Sequence, residues 1–113
     1  MNQTEQRIQF EILQAWGSHD LVRLARVNTG GAMVGPPGKQ RLVRFNPPGT
    51  ADIVGILAPA GRMIMLECKT ATGRQRDAQI AMSRVVKAFG GVYEVVRSLA
   101  DADRVFAALG LVR

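Results

Sequence analysis

Apolar residues recur at helical spacing between Thr4 and Trp16, where Ile8, Ile12, Leu13 and Trp16 share one side and Phe10 and Ala15 lie alongside. Asn2 or Thr4 can cap the start and Gly17 closes the end, so the spacing predicts an opening helix. Leu21 to Val27 mixes β-branched and apolar residues with Arg23 and Arg26, and Arg41 to Phe45 alternates Leu42 and Arg44 against Val43 and Phe45. Both read as strands, expected to pair with one another. Between them, Thr29 to Lys39 contains Gly30, Gly31, Gly35, Gly38, Pro36 and Pro37, which predicts a flap of mobile or tightly turned backbone.

Ile53 to Leu57 and Met63 to Leu66 are apolar runs separated by Ala58, Pro59, Ala60 and Gly61, a combination that predicts an antiparallel hairpin. A turn centred between Pro59 and Ala60 places residues opposite when their numbers sum to 119, which sets Asp52 against Glu67. Opposed side chains in such a ladder have Cβ atoms roughly 4.5 to 5.5 Å apart, so two carboxylates there can share one ligand. Side chains alternate along a strand, so Glu67 and Lys69 point one way while Leu66 and Cys68 point the other. Two carboxylates this close repel unless a proton or a cation sits between them, and a divalent metal fits the position.

A polar, basic connector runs from Thr70 to Arg76. Asp77 to Phe89 then predicts a second helix with Ile80, Ala81, Val85 and Phe89 as its buried stripe, stopped by Gly90 and Gly91. Val92 to Val96 is a short strand, and Ser98 with Asp101 forms a capping box for a last helix carrying Val105, Phe106 and Leu109 and ending at Gly110. The order implies an α/β fold, a central mixed sheet flanked by helices, in which the strand after the helical crossover lies parallel to a neighbour. Residues 1–113 suit one domain.

Fifteen Lys and Arg against nine Asp and Glu give a formal charge of +6, which favours a polyanionic partner, nucleic acid first. Cys68 is the single cysteine, so neither an internal disulfide nor a cysteine-rich zinc site is available, and a reducing compartment is expected. The first residues lack the apolar stretch of a leader and no run approaches a membrane span, so a soluble, cytoplasmic protein is expected and no membrane partner. The Walker pattern fails, because Met33 stands where its first Gly would be and Gln40 follows Gly38-Lys39; no paired His of a zinc protease exists. His19 is alone and reads as a surface residue, and Cys68, with no evident base, reads as a small core side chain. For Asp52, Glu67 and Lys69 the plainer alternative is a cross-strand salt bridge; apolar runs on both sides argue instead for central strands whose ends carry a site.

Gly49-Thr50-Ala51-Asp52-Ile53-Val54-Gly55 followed by Leu66-Glu67-Cys68-Lys69-Thr70 resembles the PD-(D/E)XK nuclease core. Thr4-Glu5-Gln6-Arg7-Ile8-Gln9, Arg26-Val27-Asn28-Thr29-Gly30, the stretch from Gly73 to Gln79, and Gly90-Gly91 with Val95-Val96-Arg97-Ser98 narrow the resemblance to the virus-type replication-repair nuclease (VRR-NUC) family. It spans essentially the whole chain and implies a restriction-endonuclease-like core. It also implies that Asp52 and Glu67 ligate Mg²⁺ or Mn²⁺ with the Cys68 backbone carbonyl, that Lys69 is the catalytic lysine, that Glu5 completes the acidic cluster and that Gln79 lies near the site. Glu11 is a rival to Glu5 that helical geometry does not eliminate. Cys68 stands where an aliphatic residue is usual, and Thr50-Ala51 replaces the eponymous proline.

The activity implied is metal-dependent hydrolysis of DNA phosphodiesters, directed at branched substrates such as four-way junctions by a homodimer, in the cytoplasm of a bacterial or phage-infected cell. Lys39, Arg41, Arg44, Arg74 and Arg76 are the candidate DNA-binding residues. Two rivals stand beside it: a non-catalytic nucleic-acid-binding protein, and a restriction-like nuclease acting on other DNA or on RNA.

Overall fold

The computed structural model describes residues 4–27, 31–44 and 46–113. Helix α1 (Glu5–Trp16) is capped by Thr4, whose hydroxyl accepts the Arg7 amide at 3.1 Å; Asn2, the other cap candidate, lies outside the described residues. Strand β1 (Val22–Arg26) is followed by a separate two-stranded ribbon, β2 (Gly31–Val34) and β3 (Arg41–Arg44), then by β4 (Ile53–Leu57), β5 (Arg62–Cys68), α2 (Asp77–Ala88), β6 (Val92–Val96) and α3 (Leu99–Ala108).

The main sheet has the order β1-β4-β5-β6 and is mixed: β4 is antiparallel to β1 and β5, while β5 and β6, joined through α2, are parallel. The hairpin register is the expected one, with Ile53 opposite Leu66 and Val54 opposite Met65. The protein is thus α/β, with three helices on a four-stranded mixed sheet. Ile8, Ile12 and Trp16 of α1 and Ala102 and Phe106 of α3 pack on the face carrying Ile53, Ile64, Leu66 and Cys68. The Trp16 and Phe106 rings stack there with centroids 4.0 Å apart. On the opposite face, Val86 and Met82 of α2 meet Ala51, Val54, Met65 and Tyr93.

Two expected strand partners are exchanged. Val22–Arg26 pairs with β4, not with Arg41–Arg44, and the segment expected to be a flap supplies β2, the actual partner of β3. Closing a short hairpin costs less chain entropy than bridging to β1, and Gly55 opens β4 to β1: a Cβ at Gly55 would stand 2.0 Å from the Arg23 carbonyl oxygen. Thr29, Gly30 and Phe45, included in those expectations, lie outside the described residues.

The buried stripe of α2 is also different. Ser83 and Val86 are buried, whereas Val85 and Phe89 are 51% and 89% exposed and Ala81 faces water. The inward positions are Gln79, Met82, Ser83 and Val86, which have helical spacing but include two polar residues, so an apolar count selects the wrong face. At the last helix, the Ser98 hydroxyl accepts the Asp101 amide at 3.1 Å as expected, while the Asp101 carboxylate takes the amide of Arg97, one residue before the cap. Val105 and Leu109 are half-buried beside the fully buried Phe106.

Candidate functional site

The end of β5 and the residue before β4 carry the acids because the hairpin register leaves them there, one step beyond the Ile53–Leu66 pair. Asp52 Oδ2 accepts the Cys68 amide at 2.9 Å, which ties the two segments together at that point. Glu67 is 4% exposed and Lys69 7%, and Lys69 Nζ stands 3.6 Å from Glu67 Oε1. The same oxygen accepts a 2.9 Å hydrogen bond from Gln79 Nε2, and Gln79 Oε1 accepts the Arg76 amide at 2.8 Å. Gln79 therefore does two tasks at once: it satisfies an orphan donor at the start of α2 and anchors that helix to the buried carboxylate.

The second oxygen, Glu67 Oε2, is buried and makes no hydrogen bond. Burial disfavours the carboxylate, the adjacent Asp52 charge disfavours it further, and Lys69 offsets these in part, so Glu67 is pushed up to about 7. A hard divalent cation suits this position, since it prefers carboxylate and carbonyl oxygens and would engage the orphaned atom while neutralising the paired charges. Asp52 and Glu67, which line one cleft, would supply the carboxylate oxygens. Among the described residues, however, no three of His, Cys, Asp and Glu converge as a metal cage. Glu5 lies exposed in the first turn of α1, near enough to Cys68 for its charge to be felt at the thiol. Glu11 is half-buried on the same helix and is not part of such a cage.

Asp52 and Glu67 share a cleft of about 340 Å³ with Gln79, Arg76, Arg44 and the turn of Pro47, Pro48 and Gly49. Two of the five expected basic residues therefore line the acidic site. Arg74 is exposed on the connector, Lys39 lies in the turn between β2 and β3, and Arg41 starts β3. Cys68 is fully buried in the core, where burial raises its thiol, with the acidic charges adding to the effect; it is no nucleophile. His19 has a structural role: Nε2 donates to the Val112 carbonyl at 2.7 Å, Nδ1 accepts the Leu21 amide at 3.1 Å, and the ring lies against Trp16.

Three residues that position the segments around the cleft were given no individual role in the sequence reading. Tyr93 is buried and donates its hydroxyl to the Gly49 carbonyl at 3.0 Å, which pins the turn preceding Asp52. Gly49 has φ +85°, and a Cβ there would stand 2.1 Å from the Ala78 carbonyl oxygen, so that turn can approach α2 only without a side chain. Arg97 donates Nη1 to the carbonyls of Thr70 and Gly73, both at 2.6 Å, and so straps the connector after Lys69 to the end of β6. The one available signal was compositional: Tyr93 is the single tyrosine, set in an apolar strand.

No helix among the described residues is long and apolar enough to cross a membrane. No protein-family model matches the chain, and no curated protein matches it.

Proposed function

We propose that the protein is a metal-dependent nuclease that hydrolyses DNA phosphodiesters, as the resemblance to the VRR-NUC family implies. The observation that carries the reading is a cleft lined by a buried carboxylate having an unpartnered oxygen, a second carboxylate and two arginines, with a buried lysine 3.6 Å from the first carboxylate. Asp52, Glu67 and the Cys68 carbonyl would hold Mg²⁺ or Mn²⁺. When bound, such an ion supplies Lewis acidity and lowers the pKa of water. In the reaction a water oxygen bonds to phosphorus, the P–O ester bond breaks, and the leaving alkoxide takes up a proton. Lys69 stabilises charge on the phosphoryl oxygens, Gln79 holds Glu67 in the rotamer that faces the cleft, and Arg44 and Arg76 bind flanking phosphates.

One chain offers one such cleft, and symmetric cutting of a branched duplex needs two, so the proposal includes a two-fold homodimer. Incubation with four-way, flapped and linear DNA in Mn²⁺ tests it. Cleavage that disappears in Asp52→Asn and in Glu67→Gln, with a cooperative melt retained, is the expected result; full activity in either variant rejects it. Sedimentation under cleavage conditions should give twice the chain mass.

A second reading is favoured by the Lys69–Glu67 pair at 3.6 Å, which is also what a structural salt bridge looks like. On that reading the protein binds nucleic acid without cutting it, and the same substrate panel separates the two. RNA substrates in the panel test the restriction-like alternative.

A further inference from the structure

The β2–β3 ribbon belongs to no other sheet, and all of its residues but Ala32 are exposed. Met33 and Leu42 face each other across its ladder and are 56% and 55% exposed, and Val34 and Val43 are also exposed. The molecule extends 52 × 38 × 25 Å with a radius of gyration of 15.4 Å. A compact chain of this length would have a radius of roughly 13 Å, as expected if the ribbon projects. An isolated two-stranded ribbon gains little from its own packing, so large apolar side chains displayed on it call for a partner.

Charge identifies the partner's class. From Leu21 to Ala51 the chain contains no Asp or Glu, while Arg23, Arg26, Lys39, Arg41 and Arg44 are basic, the last three on or beside the ribbon. We propose that this ribbon is a DNA-binding arm that lies in the major groove of the duplex flanking the cleft, with Lys39 and Arg41 on phosphates and Met33 and Leu42 against base edges. This deepens the nuclease reading by naming how its substrate is gripped, and it rests on that reading for the position of the cut.

The dimensions agree. Strands about 4.8 Å apart form a ribbon that a B-form major groove, roughly 12 Å wide, admits, and apolar side chains find thymine methyl groups there. The deep, narrow major groove of an RNA duplex excludes it. Arg44 ends β3 and also lines the cleft with Asp52 and Glu67, so DNA held along the arm continues to the acids. A second copy of the chain is the poorer occupant. The apolar groove beside α2, lined by Val54, Met63, Val85 and Phe89, adds Arg62 and no carboxylate to receive the basic arm.

Binding of the full-length protein to a 30-base-pair duplex in EDTA, where nothing is cut, tests the arm separately from catalysis. Met33→Ala/Leu42→Ala should bind roughly tenfold more weakly or worse with an unchanged salt slope, as expected when two apolar groups stay in water. Lys39→Ala/Arg41→Ala should lower the slope of log affinity against log salt by about 2. Methylation of guanine N7, which fills the major groove, should interfere near the cleft-proximal site. Parental affinity in both variants, no interference by N7 methylation, or equal affinity for duplex RNA overturns the proposal. So does a change in sedimentation with DNA affinity intact, which would make the arm a protein contact. Both variants should melt within a few degrees of the parent, since the substituted side chains are exposed. Arm-dependent binding by a parent that never cleaves in Mn²⁺ rejects the nuclease reading and leaves the arm standing. Cleavage by the parent with arm variants that bind normally does the reverse.

Discussion

Gln79 Nε2 donates to Glu67 Oε1 at 2.9 Å while Glu67 Oε2, also buried, receives no hydrogen bond. One half of the carboxylate is held and the other is buried without a partner. A group that orients a ligating carboxylate typically affects metal affinity or turnover by about 10- to 100-fold when removed. Gln79→Ala should reduce cleavage by that order and shift the rising limb of the pH–rate profile, because Glu67 loses a donor that fixes its geometry. Steady-state kinetics from pH 5 to 9 in Mn²⁺ measure both effects; an unshifted profile with parental turnover contradicts the role.

Glu67, raised from 4.5 to about 7 mainly by burial, makes folding pH-dependent. A carboxyl whose folded pKa exceeds its unfolded one stabilises the fold fully below about 4.5, and this contribution is lost as pH rises through about 7. The metal-free protein should therefore lose up to about 3 kcal/mol from this group between pH 4.5 and pH 8. Glu67→Gln should flatten that decline, and Mn²⁺ at pH 8 should restore stability to the parent but not to the variant. Urea melts at a series of pH values provide the measurement.

Gly49→Ala meets two obstacles, the left-handed φ of +85° and the Ala78 carbonyl oxygen at 2.1 Å. Strained backbone of this kind costs on the order of 1–3 kcal/mol, and relief requires the turn before Asp52 to leave α2. The variant should melt lower and cleave more slowly, with a larger loss of activity than a stability loss of the same size elsewhere produces.

Phe106→Ala is a harsher control in the core. Phe106 is fully buried, stacked on Trp16, and does not line the cleft. Its truncation should cost about 3–5 kcal/mol. Trp16 fluorescence should shift as its neighbour is lost, while cleavage by the folded fraction stays near parental.

Arg97→Ala tests the strap across the connector. Loss of the donor to the Thr70 and Gly73 carbonyls should cost about 1 kcal/mol, a modest value because the side chain is exposed. Amide exchange in the connector should quicken relative to β5.

Much of the fold was legible from local chemistry. Helical spacing with Thr4 as cap, the Pro59–Gly61 turn between two apolar runs, and Ser98 before the last helix each act over a few residues, and all three elements stand where expected. The hairpin register followed from parity, and with it the approach of Asp52 to the end of β5 and the placing of Glu67 and Lys69 on one side of the strand. Long-range choices were not legible. Whether β3 joins β1 or β2 depends on closure entropy and on Gly55 admitting the β1 backbone, neither of which leaves a mark in an alternating pattern. The rotation of α2 was misread because its inward stripe contains Gln79, held by the buried Glu67, and the buried Ser83. Periodicity reports which side of an element is apolar; packing settles which polar groups are drawn inward with it, and the candidate chemistry resides in those groups.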